Sequence, residues 1–485
     1  DGSYWVWIPR FAYKITYKNA SDKSQGGTVE VKFLLGTTDE YYTDDTNTTK
    51  ATAKRASSAN EEVDTTKDFY VHPAFTNESS IGYANGGWDK ELTGIWVAKF
   101  AAGFASGNNT ATVKPSSVNY TQAHAWVPAK EAGTDSDSTQ AARNWLDGIY
   151  GTYTNGNWTW KNGQQTAIKY PTFQPKTYTM NYINANDAYN ISKALTEKGN
   201  IYGLSSSTTD SHLMKNSEWG AVAYLSQSEY GNNGVEPYVN NITLNGGDRK
   251  RTEDIAGGTG TDSVYSVTGV TTGSISAGAT GSTIQNINST SGNTANGGVY
   301  TWDQETGQKS SSTLNMYGVF DMSGGVWERT AGYVANENWN LSGYGSSFTK
   351  DKVSTKYATV YPHDSTKDNT SITSNDANIN TASNANYPLN KYIYGDAIRE
   401  TSTSGTGSTS WNGDYSYFPA LNNPFTIRGG NYWNGSNAGL FYFNRTNGNS
   451  NYNNGFRSVL VALRYTKIYK EIYLGWEMFK DISAG

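Results

Sequence analysis

The sequence predicts an α+β protein in which short strands and long loops predominate over helices. Aromatic residues make up 14% of the 485 residues, whereas charged residues make up 17%, fewer than the roughly 25% usual in soluble domains. Much of the remainder is Gly, Asn, Ser and Thr, which favours strands joined by turns. Two segments in which apolar residues have helical spacing account for the helical part of the prediction.

The N-terminal part of the chain predicts strands. Residues 4–17 are aromatic and β-branched, and Pro9 within them indicates an edge or a bulge. Residues 29–35 begin by alternating and are expected to be the hairpin partner. Two further strands are predicted over 69–75 and 92–100.

The middle of the chain predicts the helices. The stronger candidates are 184–195 and 217–226, and in the second Ser217 is the expected N-cap. A further short helix is predicted over 139–150. Core-forming residues return at 317–322 and 326–328.

The C-terminal part predicts three more strands, over 425–430, 439–444 and 456–463. We expect a single domain over residues 1–463, followed by a tail at 464–485 that is more helical in composition. Polar insertions are expected near residues 36–66, 103–170, 231–298 and 335–415.

Composition excludes several function classes. The net charge is -5 with no basic cluster, so a nucleic-acid partner is not expected. Cys is absent, which excludes disulfides, zinc-thiolate sites and thiol nucleophiles. No run of apolar residues is long enough to span a membrane. Because the chain opens at Asp1, we expect a processed or trimmed product, with any export signal or anchor upstream.

The thirty residues from Arg428 to Arg457 carry the functional prediction. They contain nine Asn, six Gly, three Tyr and one Trp, and no carboxylate, Cys or His. Rigid aromatic side chains among small hydrogen-bonding groups are typical of an antibody-like paratope. The alternative is a Gly/Asn-rich loop that only closes the domain. The terminal arginines are expected to be structural, pairing with buried acids or carbonyls.

Five motifs along the chain resemble those of the formylglycine-generating-enzyme (sulfatase-modifying factor) family. In order, they are WVWIP at 5–9, ELTGIWVAKF at 91–100, HLMKNSEWG at 212–220, YGVFDMSGGVWE at 317–328, and the block from RGG at 428–430 to GFR at 455–457. The resemblance implies a C-type-lectin-like fold.

The last block is similar to the variable region of diversity-generating-retroelement target proteins. Those are non-enzymatic members of the same fold, and their C-terminal block presents diversified side chains on a ligand face. The mutagenesis in that family acts at adenines, so its substitutable positions are marked by Asn codons. Relatives also occur as surface proteins of gut Clostridia, some of them behind a pilin-like helix. The resemblance therefore implies an extracellular location, on a bacterial surface or a phage particle.

The chain also departs from the enzymes of this family. The copper-binding cysteines of the oxidase are missing, and the four histidines lack the spacing of a facial triad. Gly325 stands where the enzymes often have Asn, which leaves open whether a calcium site is retained. Neither a cofactor nor a metal is expected, and we predict that the chain is not an enzyme.

Several acidic groups are expected to have structural roles or to lie in solvated loops. Glu328 and Glu218 each lie beside a core Trp, and packing and hydrogen bonding are favoured over catalysis. Two Asp/Asn clusters, at 41–47 and 364–377, lack the spacing of a calcium loop. Solvated loops are expected at both.

The sequence therefore predicts a non-catalytic, surface-displayed protein of the adhesin or receptor-binding type. Its partner would be a protein receptor or a cell-surface glycan. The predicted contact residues are Tyr432, Trp433, Asn434, Tyr442, Asn444, Arg445, Asn447, Asn451, Tyr452 and Asn453. The alternative is a structural subunit of an extracellular filament or phage particle, self-assembling through the insertions.

Overall fold

The computed structural model describes most of the chain between residues 2 and 463. The described residues are 2–58, 61–77, 87–103, 151–154, 157–160, 171–177, 179–180, 183–198, 200, 202–245, 264–276, 300–349, 356–362, 392–420, 422–449, 451 and 453–463. The helix predicted over 139–150 and the C-terminal tail lie outside these residues.

The molecule is an α+β structure, mostly sheet with few helices. The strands of its first half are β1 (Trp5–Pro9), β2 (Phe11–Tyr17), β3 (Gly27–Phe33), β4 (Glu40–Tyr42), β5 (Lys50–Thr52), β6 (Tyr70–Val71), β7 (Gly94–Ala98), β8 (Gly151–Thr154), β9 (Asn157–Trp160), β10 (Thr209–Leu213) and β11 (Thr243–Asn245). Those of its second half are β12 (Val264–Ser266), β13 (Val270–Thr271), β14 (Tyr300–Thr301), β15 (Trp327–Ala335), β16 (Thr359–Pro362), β17 (Thr406–Gly407), β18 (Ser416–Tyr417), β19 (Phe425–Arg428), β20 (Phe443–Thr446), β21 (Asn454–Phe456) and β22 (Ser458–Ala462). The helices are α1 (Ala185–Ala194), α2 (Asn216–Gln227), α3 (Glu305–Gln308) and α4 (Trp339–Gly345).

A four-stranded antiparallel sheet joins the two ends of the described chain, in the order β1-β7-β22-β10. Strand β1 is at its edge and ends at Pro9, as the sequence predicted. Proline is tolerated there because an edge strand leaves backbone N–H groups unpaired. On β7, Ile95 and Val97 are buried while Trp96 is exposed, the alternation of a sheet that covers a core on one face.

A seven-stranded sheet carries the C-terminal block. Its order is β16-β15-β19-β20-β18-β17, and β21 also pairs with β15. Strand β15 is buried along nearly its whole length and pairs with three strands, β16, β19 and β21. The strands predicted over 425–430 and 456–463 correspond to β19 and to the pair β21–β22, whereas the strand predicted over 439–444 overlaps β20 only at residues 443–444.

The predicted hairpin at the N-terminus is present. Strands β2 and β3 pair antiparallel over their full length, and β6 adds to the other side of β2. The segment predicted as a strand over 69–75 is a strand only at β6. Pro73 then begins a short 3-10 helix, Pro73–Phe75, because proline fixes φ and removes a donor from the ladder.

Both predicted central helices form. Asn184 caps α1, its side-chain oxygen accepting from the N–H of Asp187 at 2.8 Å. Helix α2 begins at Asn216, so Ser217 is inside the helix and the predicted N-cap was wrong. The N-terminal turn is closed by Glu218, whose carboxylate accepts from the N–H of Lys215 at 2.8 Å.

The hydrophobic core lies between the sheets and α2. Trp219 of α2 is fully buried, together with strand residues such as Ile95 and Val459. Trp411 and Glu400 are buried too, although the stretch that contains them is polar in composition. No helix among the described residues is both long and apolar enough to cross a membrane.

Candidate ligand-binding surface

The last residue of the C-terminal block is an internal anchor. The Arg457 guanidinium donates to both oxygens of Glu328, at 2.9 and 2.6 Å, and to the carbonyls of Ala98 and Phe320, both at 2.7 Å. Both charged side chains are buried. Because each charge is paired and hydrogen-bonded, the arrangement avoids the cost of an isolated buried ion. The structural role predicted for Arg457 is confirmed.

The first residue of the block is anchored in the same way, but to carbonyls. Arg428 is fully buried and donates to the carbonyls of Asp396 and Ala397, at 3.0 and 3.1 Å. Its guanidinium also lies 5.5 Å from the ring centre of Trp219. The structural role predicted for Arg428 is confirmed, and both ends of the block are fixed to the core.

Two glycines turn the chain away from Arg428. Gly429 and Gly430 have φ angles of +83° and +74°, in the region that disfavours residues with a Cβ. A Cβ at Gly429 would lie 3.0 Å from the Met322 carbonyl oxygen and 3.2 Å from the Trp219 ring. The turn therefore requires glycine for conformation and for space.

Three of the predicted contact residues are not available to a ligand. Tyr432 and Tyr442 are almost completely buried, and Asn453 is 5% exposed. The Tyr442 hydroxyl accepts from the side-chain amide of Asn444 at 2.9 Å. The prediction of a contact role for these three residues was wrong, because their rings and amide fill space beneath the block. Tyr452 lies outside the described residues.

Trp433 is the main exposed aromatic of the block, at 42% exposure. Its backbone N–H donates to the Asn431 side chain at 3.0 Å, and the Asn434 side chain accepts from the Asn431 N–H at 2.7 Å. These side-chain contacts close a tight turn. The turn fixes the backbone that carries the indole.

The remaining predicted residues are half-buried. Asn444 and Arg445 lie on β20, and Asn447 and Asn451 in the following loop. The Arg445 guanidinium stacks 3.6 Å from the ring centre of Tyr417, an arrangement that restricts its planar group. The predicted contact residues that are at least partly exposed to solvent are called the exposed set below. They are Trp433, Asn434, Asn444, Arg445, Asn447 and Asn451.

Two tyrosines that sequence reasoning missed extend this surface. Tyr415 and Tyr417 are half-buried and alternate with the buried Asp414 and Ser416. The Tyr415 ring is 6.2 Å from the rings of Tyr417 and Tyr442. The alternation of the sequence DYSYF could have predicted this strand, but its position at the end of a polar stretch concealed it.

A pair of acids lies beneath the block. Asp414 is fully buried, and one of its oxygens accepts from the Phe441 N–H at 2.9 Å. Burial raises the pKa of Asp414 well above its usual range, and the neighbouring charge of Glu236 raises it further. Burial raises the pKa of Glu236 to about 8. At neutral pH these two carboxyls therefore hold at least one proton between them.

The two described histidines are both buried. His212 lies between two carboxylates, with Nδ1 3.1 Å from Asp210 and Nε2 2.9 Å from Glu218. His72 accepts from the Ala74 N–H through Nδ1. Within the part of the chain that the structure describes, no group of three or more His, Cys, Asp or Glu side chains is placed to hold a metal ion.

The acidic cluster at 41–47 has a local explanation. The carboxylate of Asp44 accepts from the backbone N–H groups of Thr46, Thr48 and Thr49. The Thr46 hydroxyl also donates to this carboxylate, and that bond, together with those from Thr48 and Thr49, lowers the pKa of Asp44. The bonds also satisfy the loop's own donors. The second cluster, at 364–377, lies outside the described residues.

The chain matches no protein-family model, and a search of curated proteins found no match. The role of the surface must therefore be inferred from its side chains, from their setting in the fold, and from the sequence motifs that reach it.

Proposed function

We propose that this chain is a non-catalytic ligand-binding protein, displayed outside the cell, and that the exposed set forms part of its contact surface. The observation that carries the proposal is the division of the block into two environments. Arg428, Arg457, Tyr432 and Tyr442 are buried, whereas Trp433 is 42% exposed on a loop between them. An exposed indole on a firmly anchored loop is a preorganised anchor for a partner.

The chemistry of the exposed set fits recognition. It combines an indole, four amide side chains and an Arg that is stacked on Tyr417. Aromatic residues contribute contact area at low entropic cost, and Asn side chains both donate and accept hydrogen bonds. We propose a protein receptor or a cell-surface glycan as the partner.

For the fold, we propose the C-type-lectin-like type of the formylglycine-generating-enzyme family. Support comes from contacts between motifs that are far apart in sequence. Arg457 of the last motif binds Glu328 of the fourth and the Ala98 carbonyl of the second. Arg428 lies against Trp219 of the third. Motifs of one fold are expected to meet in this way.

The test compares exposed tryptophans inside and outside the block. Fluorescently labelled protein is applied to a glycan array and to a panel of intact bacterial and mammalian cells. Trp433→Ala should reduce binding to whichever target is found by at least about tenfold, with a melting temperature close to that of the parent. The matched control is Trp339→Ala, since Trp339 is 64% exposed and lies on α4, outside the block.

Two results would count against the proposal. One is an equal loss of binding in Trp433→Ala and Trp339→Ala, which would show that the block has no particular role in binding. The other is unchanged binding when Trp433, Asn444 and Arg445 are all replaced by Ala in a folded protein.

A further inference from the structure

A second candidate site lies outside the C-terminal block. A cavity of about 370 Å³ opens where three segments meet: the short 3-10 helix at Lys23–Gln25, residues 62–66, and the turn at Arg399 and Glu400. Its size is within the range of small-molecule sites. Its walls are mainly charged and hydroxyl-bearing side chains.

Glu400 lines the cavity, and its carboxylate already accepts hydrogen bonds from several donors. Glu400 is 4% exposed and accepts from the hydroxyls of Tyr13, Tyr224 and Thr65, at 3.0, 2.9 and 2.7 Å. It also accepts from the Gly395 N–H at 2.6 Å. Four donors stabilise the charge, so Glu400 is a fixed part of the scaffold and needs no cation from a ligand.

Two cations on one side of the cavity have incomplete sets of acceptors. The Lys23 ammonium donates to the Arg399 carbonyl at 2.8 Å and lies 5.3 Å from the Tyr17 ring centre. Among the described residues, no carboxylate is within ion-pair distance of Lys23. Within the described part of the chain, the contacts of the Arg399 side chain are long, 3.3 Å to the Ile393 carbonyl and 3.4 Å to Glu62.

The two cations are also neighbours, since the Lys23 ammonium contacts the Arg399 backbone carbonyl. Burial, and the charge of Arg399, lower the pKa of Lys23 to about 8. An anion placed between the two groups would supply acceptors to both and remove this repulsion. A carboxylate suits Arg399 especially, because the guanidinium edge can donate two parallel hydrogen bonds to it.

The segment at 62–66 adds carboxylates and hydroxyls to the lining of the cavity. Glu62 is largely exposed, and Asp64 is held by Thr66 and Lys67. The hydroxyls of Thr65 and Thr66 donate to Glu400 and Asp64, at 2.7 and 2.5 Å. A row of carboxylates and hydroxyls is suited to accept hydrogen bonds from a ligand that carries several hydroxyl groups.

From this arrangement we infer that the cavity binds an acidic monosaccharide unit, a uronate, with its carboxylate between Lys23 and Arg399. Its hydroxyls face Glu62, Asp64 and the two threonines. The cavity is separate from the exposed set, so the result of its test does not depend on the proposed function.

The test is a calorimetric or NMR titration of the whole chain with D-glucuronate and, in parallel, with D-glucose. Glucose is the neutral isostere, with a hydroxymethyl group in place of the carboxylate. Glucuronate should bind with a Kd in the millimolar range or tighter, and at least about tenfold better than glucose. Added salt should weaken its binding.

Variants locate the binding in the cavity. Arg399→Gln should reduce glucuronate affinity at least about tenfold, and Glu62→Gln should reduce it less, by weakening one acceptor. Lys50→Gln is the control, since Lys50 is an exposed cation on β5, away from the cavity. Equal affinity for the two sugars, no detectable glucuronate binding, or unchanged affinity in a folded Arg399→Gln variant would overturn the inference.

Discussion

Tyr432 and Trp433 are adjacent in sequence, and their rings meet edge to face with centres 5.1 Å apart. Tyr432 is nevertheless completely buried, whereas Trp433 is 42% exposed. One aromatic residue therefore fastens the loop to the core, and the next presents its face to solvent. The block is uniform in composition, yet some of its positions are structural and others are open to contact.

This division predicts that two neighbouring substitutions lower the stability by very different amounts. Tyr432→Ala should lower the free energy of unfolding by about 3–5 kcal/mol, because it leaves a cavity at a buried site. Trp433→Ala should cost about 1 kcal/mol or less, mainly the lost ring contact. Urea unfolding followed by fluorescence measures both. Equal costs would contradict the difference in burial.

The buried pair of Arg457 and Glu328 should be essential to stability. Arg457→Met removes one partner and leaves a buried carboxylate with no countercharge, which should cost about 3–5 kcal/mol. Equilibrium unfolding in urea provides the measurement. The control is Asp68→Asn, which breaks the exposed ion pair with Lys54 and should leave the unfolding midpoint unchanged. Similar midpoints for the two variants would show that burial does not decide the strength of these pairs.

Local features of the fold were predictable from the sequence where the pattern was strong. The β2–β3 hairpin and the edge position of Pro9 follow from alternation and proline chemistry. The framework role of Arg428 and Arg457 followed from their glycine neighbours. These features depend on a few residues that are near one another in sequence.

Features that depend on distant residues were not predictable. Nothing in the sequence around Tyr442 shows that its ring is covered by other parts of the chain, so a buried Tyr and an exposed one look alike. Glu400 stands in a polar stretch, yet its donors Tyr13 and Tyr224 come from β2 and α2. Burial of this kind is a property of the tertiary structure.

The turn at Gly429 gives a third prediction. Gly429→Ala combines an unfavourable φ of +83° with close contacts to Met322 and Trp219, and should cost about 1–3 kcal/mol. Gly36→Ala is a matched control, since Gly36 also has a positive φ, +63°, but no atom within 4 Å of the added Cβ. Thermal unfolding compares the two. An equal loss would mean that conformation alone, without the contacts, sets the cost at Gly429.

The acid pair beneath the block predicts a dependence of stability on pH. The pKa of Glu236 is raised by burial from 4.5 to about 8, so the folded protein keeps a proton that the unfolded chain releases between these values. As far as this pair is concerned, the free energy of unfolding should therefore be highest at about pH 4.5 and below, and fall as the pH rises to about 8. The raised pKa of Asp414 acts in the same direction.

Glu236→Gln tests the assignment, because it removes one titrating group and the charge that faces Asp414. Urea unfolding at a series of pH values should give a flatter profile for this variant and a higher stability than the parent near pH 8. Glu30→Gln, which changes a glutamate whose side chain is 54% exposed, should keep the parent's profile. If the free energy of unfolding of Glu236→Gln depends on pH as steeply as that of the parent, the loss of stability at higher pH arises from other groups. Ligand binding measured over the same pH range would then show whether the buried acids hold the loop of Trp433 in place, since Asp414 accepts from the backbone of that loop at Phe441.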